Sequence, residues 1–88
     1  MFVIVVYDAR ETRVAKYLKT LRKYLTWVQE SVFEGEIEEP GLKKLQLDIK
    51  RFMVESEDSL VIYKFRTKQY YTREVLGLPR DSSERQIL

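Results

Sequence analysis

The sequence predicts an α+β sandwich in which two helices pack on one face of an antiparallel sheet. Three observations carry that expectation. Apolar residues switch between strand-like runs and helix-like periodicity in the order β-α-β(β)-α-β-β. The first strand is apolar at every position from Phe2 to Tyr7. The chain has only 88 residues, enough for one small domain.

Phe2-Val3-Ile4-Val5-Val6-Tyr7 is β-branched or aromatic throughout and too short for a helix, so it reads as a strand buried on both faces, ended by Asp8. Over residues 10–25 the period becomes helical. Val14, Tyr17, Leu18, Leu21 and Leu25 form one apolar stripe, while Arg13, Lys16, Lys19, Arg22 and Lys23 gather on the opposite side. Residues 27–37 return to strand type, as one long kinked strand or two short strands in a hairpin, with Gly35 inviting a bulge. Pro40 suits the first turn of a second helix over about 41–54, and Glu38 and Glu39 suit its positive end. Its inward stripe is Leu42, Leu45, Ile49, Phe52 and Met53.

Residues 55–59 read as a polar turn and Leu60 to Phe65 as another strand. Tyr70 to Leu76 reads as a shorter strand, and Gln86-Ile87-Leu88 as a short apolar end that can add to a sheet edge. The expected architecture is a ferredoxin-like domain over 1–78, with a tail over 79–88 placed as a candidate strand on a partner's sheet. Two helices cover one face of a sheet. The apolar second face of the first strand then needs another cover, and a twofold copy is the expected one.

Composition excludes much. The chain has no cysteine and no histidine, so disulfides, zinc sites built on Cys or His, histidine bases and cysteine nucleophiles are all ruled out. Acid–base work falls to carboxylates, lysine, tyrosine or a metal on oxygen ligands. The longest apolar run, six residues, is far below the roughly 20 needed to cross a membrane, and no basic leader precedes it. A cytoplasmic protein is expected. Charged residues make up 34%, above the usual quarter or so, as in heat-adapted proteins.

The net charge of +2 conceals strong segregation. Residues 10–24 carry Arg10, Arg13, Lys16, Lys19, Arg22 and Lys23 against Glu11 alone, for +5. Residues 30–39 carry five glutamates and no base, for −5. Residues 64–73 carry Lys64, Arg66, Lys68 and Arg73, for +4. The basic helix face is either a solvated surface or a phosphate-backbone contact. The acidic block either protects a sheet edge or receives a basic partner.

Asp8 stands where the first strand gives way to the helix. With Glu11 it fits the D-x-x-E spacing of a helix capping box, and equally a strand-end metal or catalytic carboxylate. One aspartate holds a hard divalent ion poorly, but a twofold axis near the strand end would supply two. Tyr63, Phe65, Tyr70 and Tyr71 lack the glycine-containing RNA-stacking pattern and read better as core and dimer seam. There is no Gly-rich phosphate loop and no G-x-S-x-G, and Ser31 has no histidine for a triad.

The strand ending in Tyr7-Asp8, followed by Arg13-Val14-Ala15-Lys16, and the stretch Trp27-Val28-Gln29-Glu30-Ser31-Val32-Phe33-Glu34-Gly35 resemble the CRISPR-associated (Cas) protein two family. With the closing Val75-Leu76-Gly77, the resemblance spans residues 1–77. It implies a ferredoxin-like homodimer of CRISPR spacer acquisition that bridges the adaptation integrase and lies along duplex DNA. It also implies, for some members, Mg²⁺- or Mn²⁺-dependent endonuclease activity on single-stranded RNA or duplex DNA. By the same resemblance Asp8 is the metal ligand, shared with its copy, and Arg13, Ser31 and Phe33 are catalytic-cleft residues. Arg10, Arg13, Lys16, Lys19 and Lys23 are the expected phosphate contacts. The loop after Asp8 is shorter than in many members, and Trp27 stands where many carry arginine. A non-catalytic DNA-binding scaffold and a toxin-type mRNA interferase are the alternatives.

Overall fold

The computed structural model describes residues 1–67 together with Thr72, Glu74, Leu76 and Gly77. Of the expected Tyr70–Leu76 strand only Thr72, Glu74 and Leu76 are described, and none of the three is in a strand; its other residues, the tail over 79–88, and Lys68 and Arg73 of the second basic block lie outside the described residues.

Six elements follow in the order β1 (Phe2–Asp8), α1 (Glu11–Leu21), β2 (Thr26–Gln29), β3 (Val32–Glu36), α2 (Glu39–Lys50) and β4 (Ser59–Phe65). The strands form one sheet in the order β2-β3-β1-β4, with every neighbouring pair antiparallel. This is the ferredoxin-like α+β topology, with β1 in the centre because it is the strand apolar enough to be flanked on both edges and covered on one face.

Register sorts the side chains. Val5 pairs with Phe33 and Ile62, and Val3 with Gly35 and Lys64. Val3, Val5, Tyr7 and Phe33 therefore face the helices, where they are buried with Tyr17, Leu21, Leu25, Leu45 and Ile49. Phe2, Ile4, Val6 and Asp8 alternate onto the other face with Val61, Tyr63 and Phe65. There Val61 and Tyr63 keep 45% and 53% of their surface exposed. Among the described residues no element packs over Val61 and Tyr63 on that face.

The region read as one kinked strand or a hairpin is a hairpin. Its turn is Glu30-Ser31, with Glu30 at φ 45°, a left-handed conformation uncommon for a residue with a side chain. The bulge sits between Trp27 and Gln29 and not at Gly35. Gly35 is needed for another reason: a Cβ there would lie 3.2 Å from Leu25 Cδ2, so its bare backbone lets the connection from α1 to β2 settle on the sheet.

The second helix begins at Glu39, two residues before the expected 41, with Pro40 in its first turn. It ends at Lys50, and Phe52 and Met53 pack on the core from the following turn. Tyr24, just after α1, donates its hydroxyl to Asp48 of α2 and ties the helices together. Tyr7 stacks on Tyr17 at 5.0 Å between ring centres, and Tyr17 meets Phe52 edge-on at 4.9 Å. Each such pair adds about 0.5–1.5 kcal/mol beyond its buried area. Among the described residues no helix is long and apolar enough to cross a membrane.

Candidate active site

Asp8 is the last residue of β1 and still pairs with Ser59 of β4. Its place in the ladder keeps it out of the helix start, so the capping box does not form. The N-cap of α1 is Arg10, which makes no side-chain cap. The Arg10 amide is met from outside the helix, by Asp58 Oδ1 at 3.4 Å. Asp8 is left exposed and shares the face of Ile4 and Val6.

Beside it lies a cleft of about 340 Å³, lined by Tyr7, Asp8, Ala9, Val14, Leu18, Trp27, Glu30 and Ser31. Two elements make it. The β2–β3 turn brings Glu30 and Ser31 to the end of β1, held there by the Tyr7 amide donating to the Ser31 carbonyl at 3.1 Å. Helix α1 closes the side with Val14 and Leu18. Burial pushes the Tyr7 phenol above its usual pKa, against the pull of Arg22. It stays protonated across the neutral range.

The structure thus brings Asp8 and Ser31 together. Phe33 does not join them. It is fully buried, faces the helices and lies 6.5 Å from the Tyr7 ring, so it supports the cleft wall from the core and cannot touch a substrate. Its neighbours in sequence alternate with it, which is why Val32 is on the open face.

Arg13 is also committed elsewhere. Its Nε donates to Asp58 Oδ2 at 2.7 Å, and its Nη2 donates to Asp58 Oδ1 at 2.6 Å and to Glu57 Oε1 at 2.8 Å. Only 16% of the side chain is exposed. Asp58 has a fully covered side chain and also accepts from the Tyr17 hydroxyl at 3.0 Å and the Val54 amide at 3.1 Å. The Arg13 guanidinium beside Asp58 holds its carboxyl well below the usual carboxylate range, outweighing burial. With these donors in use, Arg13 anchors α1 to the start of β4. Arg10 remains exposed, with Nε 3.6 Å from Glu57, and Lys16 and Lys19 of α1 and Lys23 in the turn after it are exposed.

Sequence reasoning read residues 55–59 as a polar turn and missed Asp58. The available signal was an acidic residue at the threshold of an apolar strand, facing a helix that carries an arginine.

Among the described residues no three acidic side chains gather as a metal site. Among the described residues β1 offers one carboxylate, Asp8, at its end, with Glu30 across the cleft. Two copies joined through the open face would offer two, which fits the one or two carboxylates that Mg²⁺ ordinarily takes, the rest of its shell being water and phosphate.

A model of the family described as CRISPR associated protein Cas2 matches residues 1–73. The chain belongs to the Cas2 family. Over its full length it is 46% identical to a protein of Dictyoglomus turgidum named CRISPR-associated endoribonuclease Cas2, with all of both chains covered. A Thermotoga maritima protein of the same name is 46% identical over 80 residues, 91% of this chain and 92% of that one. A solved Cas2 crystal structure superposes with a TM-score of 0.81 at 44% identity, covering 94% of this chain and 91% of that chain. The ferredoxin-like fold expected from the sequence is thus the fold found, and the names of the Cas2 relatives agree with the expectation of a nuclease.

Proposed function

We propose that this chain is a dimeric, Mg²⁺- or Mn²⁺-dependent endonuclease of CRISPR adaptation that cleaves phosphodiester bonds next to Asp8. The observation that carries the reading is Asp8 itself: an exposed carboxylate on the sheet face opposite the helices, at the rim of the cleft it shares with Ser31. A twofold copy docked on that face brings the two Asp8 side chains toward one seam.

The two Asp8 carboxylates would hold the metal, which when bound activates water and neutralises phosphate charge. The chain's own residues do the rest. The β1–β4 ladder fixes the direction of Asp8. Arg10, exposed two residues beyond Asp8, neutralises a phosphate oxygen. Arg13 acts indirectly, holding the loop through Asp58. Ser31 offers a hydroxyl at the cleft wall.

The test is cleavage of single-stranded RNA and duplex DNA with and without Mg²⁺, for the wild type and Asp8→Asn. Loss of metal-dependent cleavage with an unchanged sedimentation coefficient supports the reading. Unchanged cleavage removes Asp8 from the chemistry.

A second reading is favoured by the exposed Lys16, Lys19 and Lys23: a cytoplasmic scaffold that grips duplex DNA and seats the adaptation integrase, with cleavage dispensable. Under it, Asp8→Asn retains spacer acquisition.

A further inference from the structure

We propose that the cleft beside Asp8 is a pocket for one unstacked nucleobase of a single-stranded substrate, with Trp27 as its stacking surface. The proposal takes its placement from the reading of Asp8 as the reactive carboxylate and adds what sits next to it.

Four observations support it. First, Trp27 lines the cleft, and its ring is already held: Nε1–H donates to the Glu30 carbonyl at 2.8 Å and the Arg22 guanidinium lies 5.3 Å from the ring centre. A fixed ring loses little side-chain freedom when a base stacks on it. Second, the turn that carries the acceptor of that bond is strained, with Glu30 at φ 45°. A side chain held in that region costs energy, and such strain gathers where a structure must position something.

Third, the size fits. A cavity of about 150 Å³ takes one benzene ring, so about 340 Å³ takes a fused two-ring base and part of its sugar. Fourth, the lining divides as a base requires. Trp27, Val14 and Leu18 meet the flat apolar faces, while Ser31 meets the polar edge and Asp8 stands at the rim beside the backbone. A base can enter only when it is out of a duplex stack. The pocket therefore selects single strands, and purines ahead of pyrimidines because they stack over more area.

Trp27 is the one tryptophan of the chain, so its fluorescence reports the pocket directly. The test titrates the wild type in EDTA, which withholds the metal and prevents turnover, with a ten-nucleotide purine RNA, a pyrimidine RNA of equal length, and an RNA duplex. Saturable quenching that is strongest for the purine strand and weakest for the duplex supports the pocket. No quenching, or equal quenching by the duplex, overturns it. Binding is then read by anisotropy of a labelled strand in Trp27→Leu and Trp27→Phe. Leucine is expected to weaken affinity about 5- to 150-fold, the range of one lost base stack, and phenylalanine to retain most of it. Equal affinity in all three overturns the proposal. Cleavage by the wild type without any quenching sinks the pocket and leaves the nuclease. Quenching without cleavage keeps the pocket and sinks the nuclease.

Discussion

Arg13 and Asp58 meet side-on across 45 residues of sequence, two charged hydrogen bonds of 2.7 and 2.6 Å fastening helix α1 to the threshold of β4. The pairing is bidentate, the geometry that suits guanidinium and carboxylate best. Asp58 also accepts from the Arg10 amide, only two residues beyond Asp8. The strand end that presents Asp8 is therefore held from beneath by a carboxylate on the helix side.

Acid is expected to release this clamp. The Asp58 carboxyl is depressed below its ordinary value of 3.8, so its contribution is fully present above that value and is lost as pH falls through the lower folded value. The melting temperature of the wild type should drop faster between pH 5 and 2 than that of Asp58→Asn. At pH 7 Asp58→Asn should melt lower, by on the order of 10 °C, because Arg13 keeps its charge with a weakened partner. Calorimetry across that pH range checks both. Parallel curves would remove Asp58 from the acid response.

Tyr17 gives the opposite end of the profile. Burial, with its hydrogen bond to Asp58, pushes its phenol up to about 12 from an ordinary 10. The neutral form is the favoured one, so its contribution is intact below pH 10 and lost as pH rises through 12. Tyr17→Phe should cost about 1.5–3 kcal/mol at pH 7, as loss of a hydrogen bond to a charged group does. It should also flatten the alkaline fall in stability, measured by denaturant unfolding at pH 8 to 12.

Phe33 separates a core role from a catalytic one. It is wholly buried, so Phe33→Ala should destabilise by about 3–5 kcal/mol, and Phe33→Leu should cost far less while keeping cleavage. A well-folded Phe33→Leu protein without cleavage would return Phe33 to the cleft.

How much of this was legible beforehand follows from the range of each interaction. Elements β1, α1, α2 and β4 were readable because apolar periodicity is local and strong. Their partition into faces was also readable, since strand alternation alone puts Asp8 with Ile4 and Val6. The Arg13–Asp58 pairing was not, because nothing local joins residues 45 apart. Arg13 therefore read as a phosphate ligand on a basic face, although its position at the top of α1 points it at the β4 threshold. Asp8 read equally as a cap or as a strand-end metal carboxylate for a similar reason: the spacing suited a capping box, and the ladder rung to Ser59 that excludes the cap is set by tertiary pairing. Trp27 stood out only as a departure from the family pattern, and its use of the Glu30 carbonyl required the folded turn.

The sheet face opposite the helices should be the dimer seam. Val61 and Tyr63 are exposed there beside Ile4 and Val6, with glutamates at Glu34 and Glu36 on the same face of β3. Tyr63→Glu adds a charge to that face without touching the core. It should yield a monomer by analytical ultracentrifugation, folded by circular dichroism, and inactive because each Asp8 has lost its mate. A dimeric Tyr63→Glu protein would place the seam elsewhere.

The basic face of α1 separates scaffold from solvated surface, and salt is the means. A lysine that neutralises a duplex phosphate releases a counterion, and each such contact adds about 0.9 to the slope of log affinity against log salt. Lys16 and Lys19 of α1 and Lys23 in the turn that follows are exposed and take no part in the Arg13–Asp58 clamp. Replacing all three with glutamine removes charge without building an opposing patch. If all three touch phosphate, the slope for duplex DNA should fall by about 2.7, with affinity dropping most at low salt. Thermal stability should stay within about 0.5 kcal/mol per site, as exposed substitutions do. An unchanged slope at unchanged stability would mean that the lysines only face water, and the duplex would then have to be gripped by residues outside α1.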